Sequence, residues 1–192
     1  MLSKEGKVNR ILRPVGIYFL ALAAAVTFAA AFSLRAQQQL PPLPDGYVRP
    51  GPVAARGLAP RMKVREISSG AASRTFYVTF GSGDEVVSGL TEFAEKNHIT
   101  FAEINGIGGL STATLGWGDP VKGGVKPIPV GQKCELASLL GNIALQNGKV
   151  YVHAHAVVSF SDGSTKGGHL IDAHASPFVE IFVVTADVPS KE

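Results

Sequence analysis

From Arg74 onward the chain falls into short apolar runs with two different periods. RTFYVTF (residues 74–80) is β-branched and aromatic and predicts a strand. It passes through GSG to Asp84, a helix-capping residue type. DEVVSGLTEFAEKN then places Val86, Val87, Leu90, Phe93 and Ala94 on one face at helical spacing, with Glu85, Glu92, Glu95 and Lys96 outside it. The predicted helix starts at an Asp84 cap and ends at Asn97 and His98, so His98 falls on the solvent side of a helix terminus. Further strands are predicted at 99–104, 113–117, 135–144, 150–160, 168–173 and 179–186, about seven in all with 74–80. Turns are predicted at NGIGG (105–109), QNGK (146–149) and SDGS (161–164), whose residues tolerate positive φ. The GIGG portion resembles a phosphate loop only weakly, since no helix follows it, and is read as a turn. One principal helix followed by hairpin-type strands predicts an α+β fold with a mainly antiparallel sheet.

The N-terminal third has a different pattern. Residues 1–13 carry Lys4, Lys7, Arg10 and Arg13 against Glu5, and residues 14–34 are uncharged. A basic flank before an apolar run predicts an export leader, residues 1–36, with cleavage after Ala36 and with Ala31 or Ser33 as rival sites. The alternative is an uncleaved inner-membrane anchor, because the run is near the ~20 residues that a spanning helix needs. In both cases the positive flank stays inside and the following domain lies outside the cytoplasm, in the periplasm. Residues 37–61, QQQLPPLPDGYVRPGPVAARGLAPR, hold six prolines and no apolar periodicity and read as an extended linker.

Charge changes once the leader is set apart. The whole chain is +3, but residues 1–36 contain five basic side chains and one acid. From residue 67 on there are 8 basic and 12 acidic residues, an excess of the wrong sign for a phosphate backbone. The single Cys134 excludes an intramolecular disulfide framework. At 192 residues the chain supports one globular domain.

Three of the five histidines lie in VHAHAVVSFSDGSTKGGHL, residues 152–170. On a strand His153 and His155 project to the same face. Register decides whether His169 joins them. A strict two-residue Asp162-Gly163 loop sets His169 opposite Ala156 and turns its ring to the other face. A three-residue loop, or a bulge at Gly167-Gly168, sets it opposite Val157 on the histidine face. Three imidazoles suit zinc and leave a fourth position for water or a ligand. The competing reading is a set of sheet histidines satisfied by carbonyls or acids. His174, just past the predicted strand, is a reserve ligand or a loop residue.

The segments RTFYVTF, GDEVVSGLTEFAEKNHI, INGIGGLSTATLGW, ELASLLGNIA, VHAHAVVSFSDGSTKGGHL and VEIFVV, taken in order, resemble the PPC (plants and prokaryotes conserved) domain over residues 62–189. The resemblance implies a curved antiparallel sheet with a helix, assembled as a homotrimer. It also implies a metal site on His153, His155 and His169. Plant relatives carry AT-hooks and a GRFEIL hexapeptide for partner contacts. The matching stretch here, QKCELA (132–137), keeps Lys133 and Glu135 but lacks the glycine and phenylalanine, and the chain has no AT-hook.

These observations predict an exported, oligomeric PPC-like domain that binds a metal, expected to be zinc, through His153, His155 and His169 and takes an unknown small ligand. Nucleic acid is not an expected partner, and the membrane is one only through an uncleaved N-terminal segment. A zinc hydrolase or lyase is the alternative, and it needs a general base from Glu103, Glu135, Asp172 or Glu180. DNA binding is a further alternative that would require the leader reading to be wrong.

Overall fold

The computed structural model describes residues 40–70 and 73–186. The chain divides into two compact units, 1–42 and 43–192, and all the strands and the helix named below belong to the second. The leader, residues 1–36, lies outside the described residues. Among the described residues no helix is long and apolar enough to cross a membrane.

Seven strands and one helix occur in the order β1 (Lys63–Ser69), β2 (Arg74–Gly81), α1 (Val86–Lys96), β3 (Phe101–Asp119), β4 (Gly124–Val130), β5 (Cys134–Gln146), β6 (Lys149–Ser159) and β7 (Thr165–Thr185). They form one sheet in the order β1-β2-β7-β6-β5-β3-β4, and every pairing is antiparallel. An additional β7–β3 pairing closes β3, β5, β6 and β7 on one another. The helix lies against β6 and β7. Phe76, Phe80, Phe93, Leu90, Ile104, Leu139, Ile143 and Ile181 are among the fully buried side chains of the core.

The predicted count of about seven strands agrees with the structure, but the segmentation differs in four places. Predicted strands 99–104 and 113–117 are parts of the continuous β3, and 168–173 and 179–186 are parts of β7. The supposed NGIGG turn is strand, with a bulge between Gly106 and Gly108. Its glycines answer to close approach rather than to chain reversal. A Cβ on Gly106 would lie 2.5 Å from the Glu180 carbonyl oxygen, and one on Gly108 2.5 Å from that of Phe178, both on β7. Strands β1 and β4 are edges that carry no clear alternation. All of β1 is exposed, and β4 contains Pro127 and Pro129, which an edge strand tolerates because it has one unpaired side.

The helix face is as predicted, with Val86, Val87, Leu90, Phe93 and Ala94 all buried. Its cap is not. Glu85 is the N-cap and accepts from the Val87 and Ser88 N–H groups at 3.0 and 2.6 Å. It also takes the Ala173 N–H at 3.2 Å, fastening the helix to β7. Asp84 instead closes the preceding turn, accepting from Gly81 N at 2.9 Å and Arg61 N at 3.0 Å. Such caps contribute about 1 kcal/mol each. The helix ends at Asn97, with His98 beyond it at φ 54°.

The proline-rich segment is described from Leu40, and from Leu43 it forms a strap on the domain. Val48 exchanges both backbone hydrogen bonds with Val125 on the β4 edge, at 3.0 and 2.9 Å. Arg56 pairs with Glu95, and Gly57 N donates to Glu92 at 3.0 Å. Val53, Ala59 and Met62 pack against the core. The strap therefore covers helix positions that periodicity alone assigns to solvent, including the buried Gly89, where a Cβ would sit 2.8 Å from that of Ala59.

Candidate metal centre

Strand β6 alternates strictly. Val150, Val152, Ala154, Ala156 and Val158 are buried, whereas His153, His155 and Val157 point outward. The β6–β7 connection is a three-residue loop, Ser161, Asp162 and Gly163. Phe160 N donates to Ser164 O at 3.0 Å and Gly163 takes φ 81°. Asp162 Oδ1 holds the loop by accepting from Ser164 N at 2.9 Å and from its hydroxyl at 2.6 Å.

This loop produces the even register, two residues along β6 from the expected partner Val157. His169 stands opposite His155, and Gly167 opposite Val157, with no bulge in that ladder. The shift arises because the loop closes on the Phe160–Ser164 pair. Directly opposed antiparallel residues share a face, so all three imidazoles converge on the outer side of the sheet. Gly168 makes the adjacent crossing possible. It has φ 154°, and a Cβ there would lie 2.3 Å from the Gly116 carbonyl oxygen, where β3 runs against β7 beside the Gly116–His169 pair.

The ring centroids are 5.7 Å apart for His153 and His155, 5.0 Å for His153 and His169, and 5.4 Å for His155 and His169. One nitrogen from each ring lies within 4.8 Å of the others. Three nitrogens on one zinc at ~2.0–2.1 Å would sit about 3.4 Å apart, a separation of the same order. His169 is only 8 % exposed, and burial, followed by the neighbouring imidazoles of His153 and His155, pushes its pKa down to about 4. It is therefore neutral at pH 7 with a lone pair to offer, the form a metal requires. The donor set fits a zinc ion and leaves one coordination position open.

Tyr151 completes the cluster, a residue that the histidine pattern alone does not single out. Its ring stacks on His153 at 5.8 Å, and its hydroxyl lies 3.4 Å from His169 Nε2. Burial raises its pKa, so the phenol remains a neutral hydrogen-bonding group. The signal is present in YVHAH, since Tyr151 shares the two-residue period of His153 and His155. Beside His169, a cavity of about 170 Å³ opens between Tyr151, Ile171 and the strap residues Val48, Arg49 and Pro50.

The other predicted residues lie elsewhere. His174 is within β7 rather than in a loop, opposite Thr112, with its Nδ1 3.4 Å from the threonine hydroxyl, and it is not part of the cluster. Among the described residues, no carboxylate joins the three histidines. Glu103 faces Asn142, which faces His153, so two strand spacings, about 10 Å, separate acid and imidazole. Glu180 accepts from the Tyr77 hydroxyl. Glu135 lines a separate cavity of about 560 Å³ with Lys133, Cys134, Phe160 and Phe178. That cavity is lined by Lys133, Cys134 and Glu135 of the 132–137 stretch but by none of the histidines.

The model of the Plants and Prokaryotes Conserved (PCC) domain matches residues 67–187. The chain belongs to that family. Several solved structures are similar to it in fold and sequence. A plant- and prokaryote-conserved protein of Pyrococcus horikoshii is 32 % identical, with 64 % of this chain and 87 % of that chain covered and a TM-score of 0.59. A candidate DNA-binding protein of Bacteroides thetaiotaomicron is 29 % identical, with coverage of 67 % and 85 % and a TM-score of 0.60. A metal-containing protein of Archaeoglobus fulgidus is 27 % identical, with coverage of 64 % and 86 % and a TM-score of 0.57. No curated protein matches the chain. The PCC match starts after the strap, so residues 43–62 are an addition to the matched domain.

Proposed function

We propose that this protein is an exported metal-binding PCC domain that holds zinc on His153, His155 and His169 and presents the open coordination position to a small ligand. The observation carrying this reading is the convergence of three imidazoles on one outer face with ligand atoms within 4.8 Å of one another. The metal-containing Archaeoglobus relative supports it. Binding is favoured over hydrolysis because, among the described residues, no acid of the same chain joins the cluster to serve as general base. The DNA-binding description of the Bacteroides relative is not carried over, because residues 67–192 hold 8 basic and 12 acidic side chains.

Oligomerisation, as a homotrimer, belongs to the same reading. Ile107, Leu140, Phe178 and Phe182 are 57, 60, 50 and 41 % exposed. Leu140 lies directly across from His155, so a subunit contact there would border the metal. Sedimentation of the purified chain as a monomer at micromolar concentration would remove this part. Metal analysis of the full-length chain tests the core of the reading. About one zinc per chain is expected in the parent and none in His155→Ala, and equal metal in both would overturn it. Export is tested by fractionation with an epitope after Glu192, and recovery from the cytosol alone would overturn it.

A further inference from the structure

The β3–β4 hairpin is the most conspicuous apolar projection among the described residues. Val121 at its tip is 92 % exposed, and Trp117 on β3 is 55 % exposed. Trp117 is paired with the exposed Lys126, and Lys122 stands beside Val121. A Cβ on Gly118 or Gly123 would meet nothing within 4 Å, so the tip stands clear of the domain. The acid nearby, Asp119, is turned inward and taken up by the Tyr47 hydroxyl at 3.0 Å and by the N–H groups of Val121 and Lys122 at 3.0 and 3.1 Å. The tip therefore combines an aromatic, an aliphatic and two cationic side chains, the composition of a surface that sits at the headgroup level of a bilayer.

The strap ties this tip to the start of the domain. Leu43 occupies the space beside Gly124, Lys122 Nζ donates to the Tyr47 hydroxyl at 3.2 Å, and Arg49 Nη1 donates to the Gly123 carbonyl at 3.2 Å. The chain preceding Leu43 thus leaves the domain at the hairpin. The uncharged run in the sequence ends at Leu34, and nine residues span at most about 30 Å. Because residues 43–62 are held on the domain, they add nothing to that reach.

We propose that residues 1–36 are retained as a membrane anchor and that the β3–β4 hairpin rests on the bilayer, with Trp117 and Val121 in the headgroup–acyl boundary and Lys122 and Lys126 against anionic lipid. This rests on the export reading and selects its uncleaved form. Trp117 is the sole tryptophan of the chain, so intrinsic fluorescence reports on the hairpin alone. The full chain would be reconstituted into phosphatidylethanolamine–phosphatidylglycerol vesicles with and without brominated acyl chains, and flotation and emission measured together. The expected result is flotation, with Trp117 emission shifted to shorter wavelength and reduced about twofold by bromine. Val121→Asp should still float but lose most of that quenching. Flotation with water-like, unquenched emission overturns the hairpin contact and leaves the anchor intact. Shifted but unquenched emission places protein, such as a second copy, over Trp117 and overturns it equally. A chain that does not float, or that is recovered from cells beginning near residue 37, removes the anchor and the proposal with it.

Discussion

The two faces of β6 have the same backbone and opposite tasks. Inward, Val150, Val152, Ala154, Ala156 and Val158 are small or branched and buried, and their sizes are set by how closely β5 approaches. A Cβ on Gly141 would lie 2.6 Å from the Ala154 Cα. Outward, Tyr151, His153 and His155 contact one another ring to ring. One strand thus carries two interleaved sequences, one answering to packing and the other to chemistry. Substitutions on each face should therefore separate stability from metal binding.

The strongest response should come from the outer face. His155→Ala should reduce zinc affinity by more than about a hundredfold, as measured by competition with a chromophoric chelator, because two ligands remain where three bound. Its melting temperature in chelator should stay close to that of the parent. Should metal-free stability collapse as well, the two faces are not independent. On the inner side, Ile143→Ala, at a fully buried position opposite Val152, should destabilise the fold by about 2–5 kcal/mol in urea unfolding. Zinc affinity should be retained in the molecules that remain folded. His98→Ala should change neither quantity, since that ring lies at the helix end, away from the cluster.

Acid should divide the faces further through His169, the outer-face histidine that is nevertheless buried. Its folded pKa of about 4 lies below the ordinary value of 6.5, so the unfolded chain binds the extra proton first. The stability contributed by this group is fully present above pH 6.5 and is lost as pH falls toward 4, by up to about 3 kcal/mol. Urea midpoints in chelator across that window measure it, and His169→Gln should flatten the slope. A slope unchanged in the variant would assign the loss to other groups. Tyr151 should matter less than any of the three histidines. Removing its hydroxyl in Tyr151→Phe should alter zinc affinity by about tenfold or less and leave the fold intact. A loss as large as that of His155→Ala would make the phenol a ligand.

The sequence was most informative where a single local rule governs. Alternation in VHAH put two histidines on one face, and helical spacing identified the buried side of α1. It was weaker where partners remote in sequence decide. NGIGG has turn composition, but β7 presses on it and only glycine leaves room. The position of His169 depended on which residues close a three-residue loop, a one-step difference that composition does not encode. Asp84 and Glu85 are adjacent acids, and which one caps the helix is settled by Arg61 and Ala173, 23 and 88 residues from their partners. The strap carries no periodicity because it follows the domain's surface rather than forming a face of its own.

Strand β7 is the last of the described elements, and it pairs with β2, β3 and β6. None of these ladders can form until residues 165–185 have been synthesised. The β2–β7 and β3–β7 pairings close loops of about 50 to 110 residues, the kind of long-range contact that slows folding. A nascent chain that has not yet reached β7 lacks its keystone, and its core, with Val179, Ile181 and Val183 missing, stays open. The order of the strands acts as a timer: the three histidines cannot converge until β7 has brought His169 opposite His155.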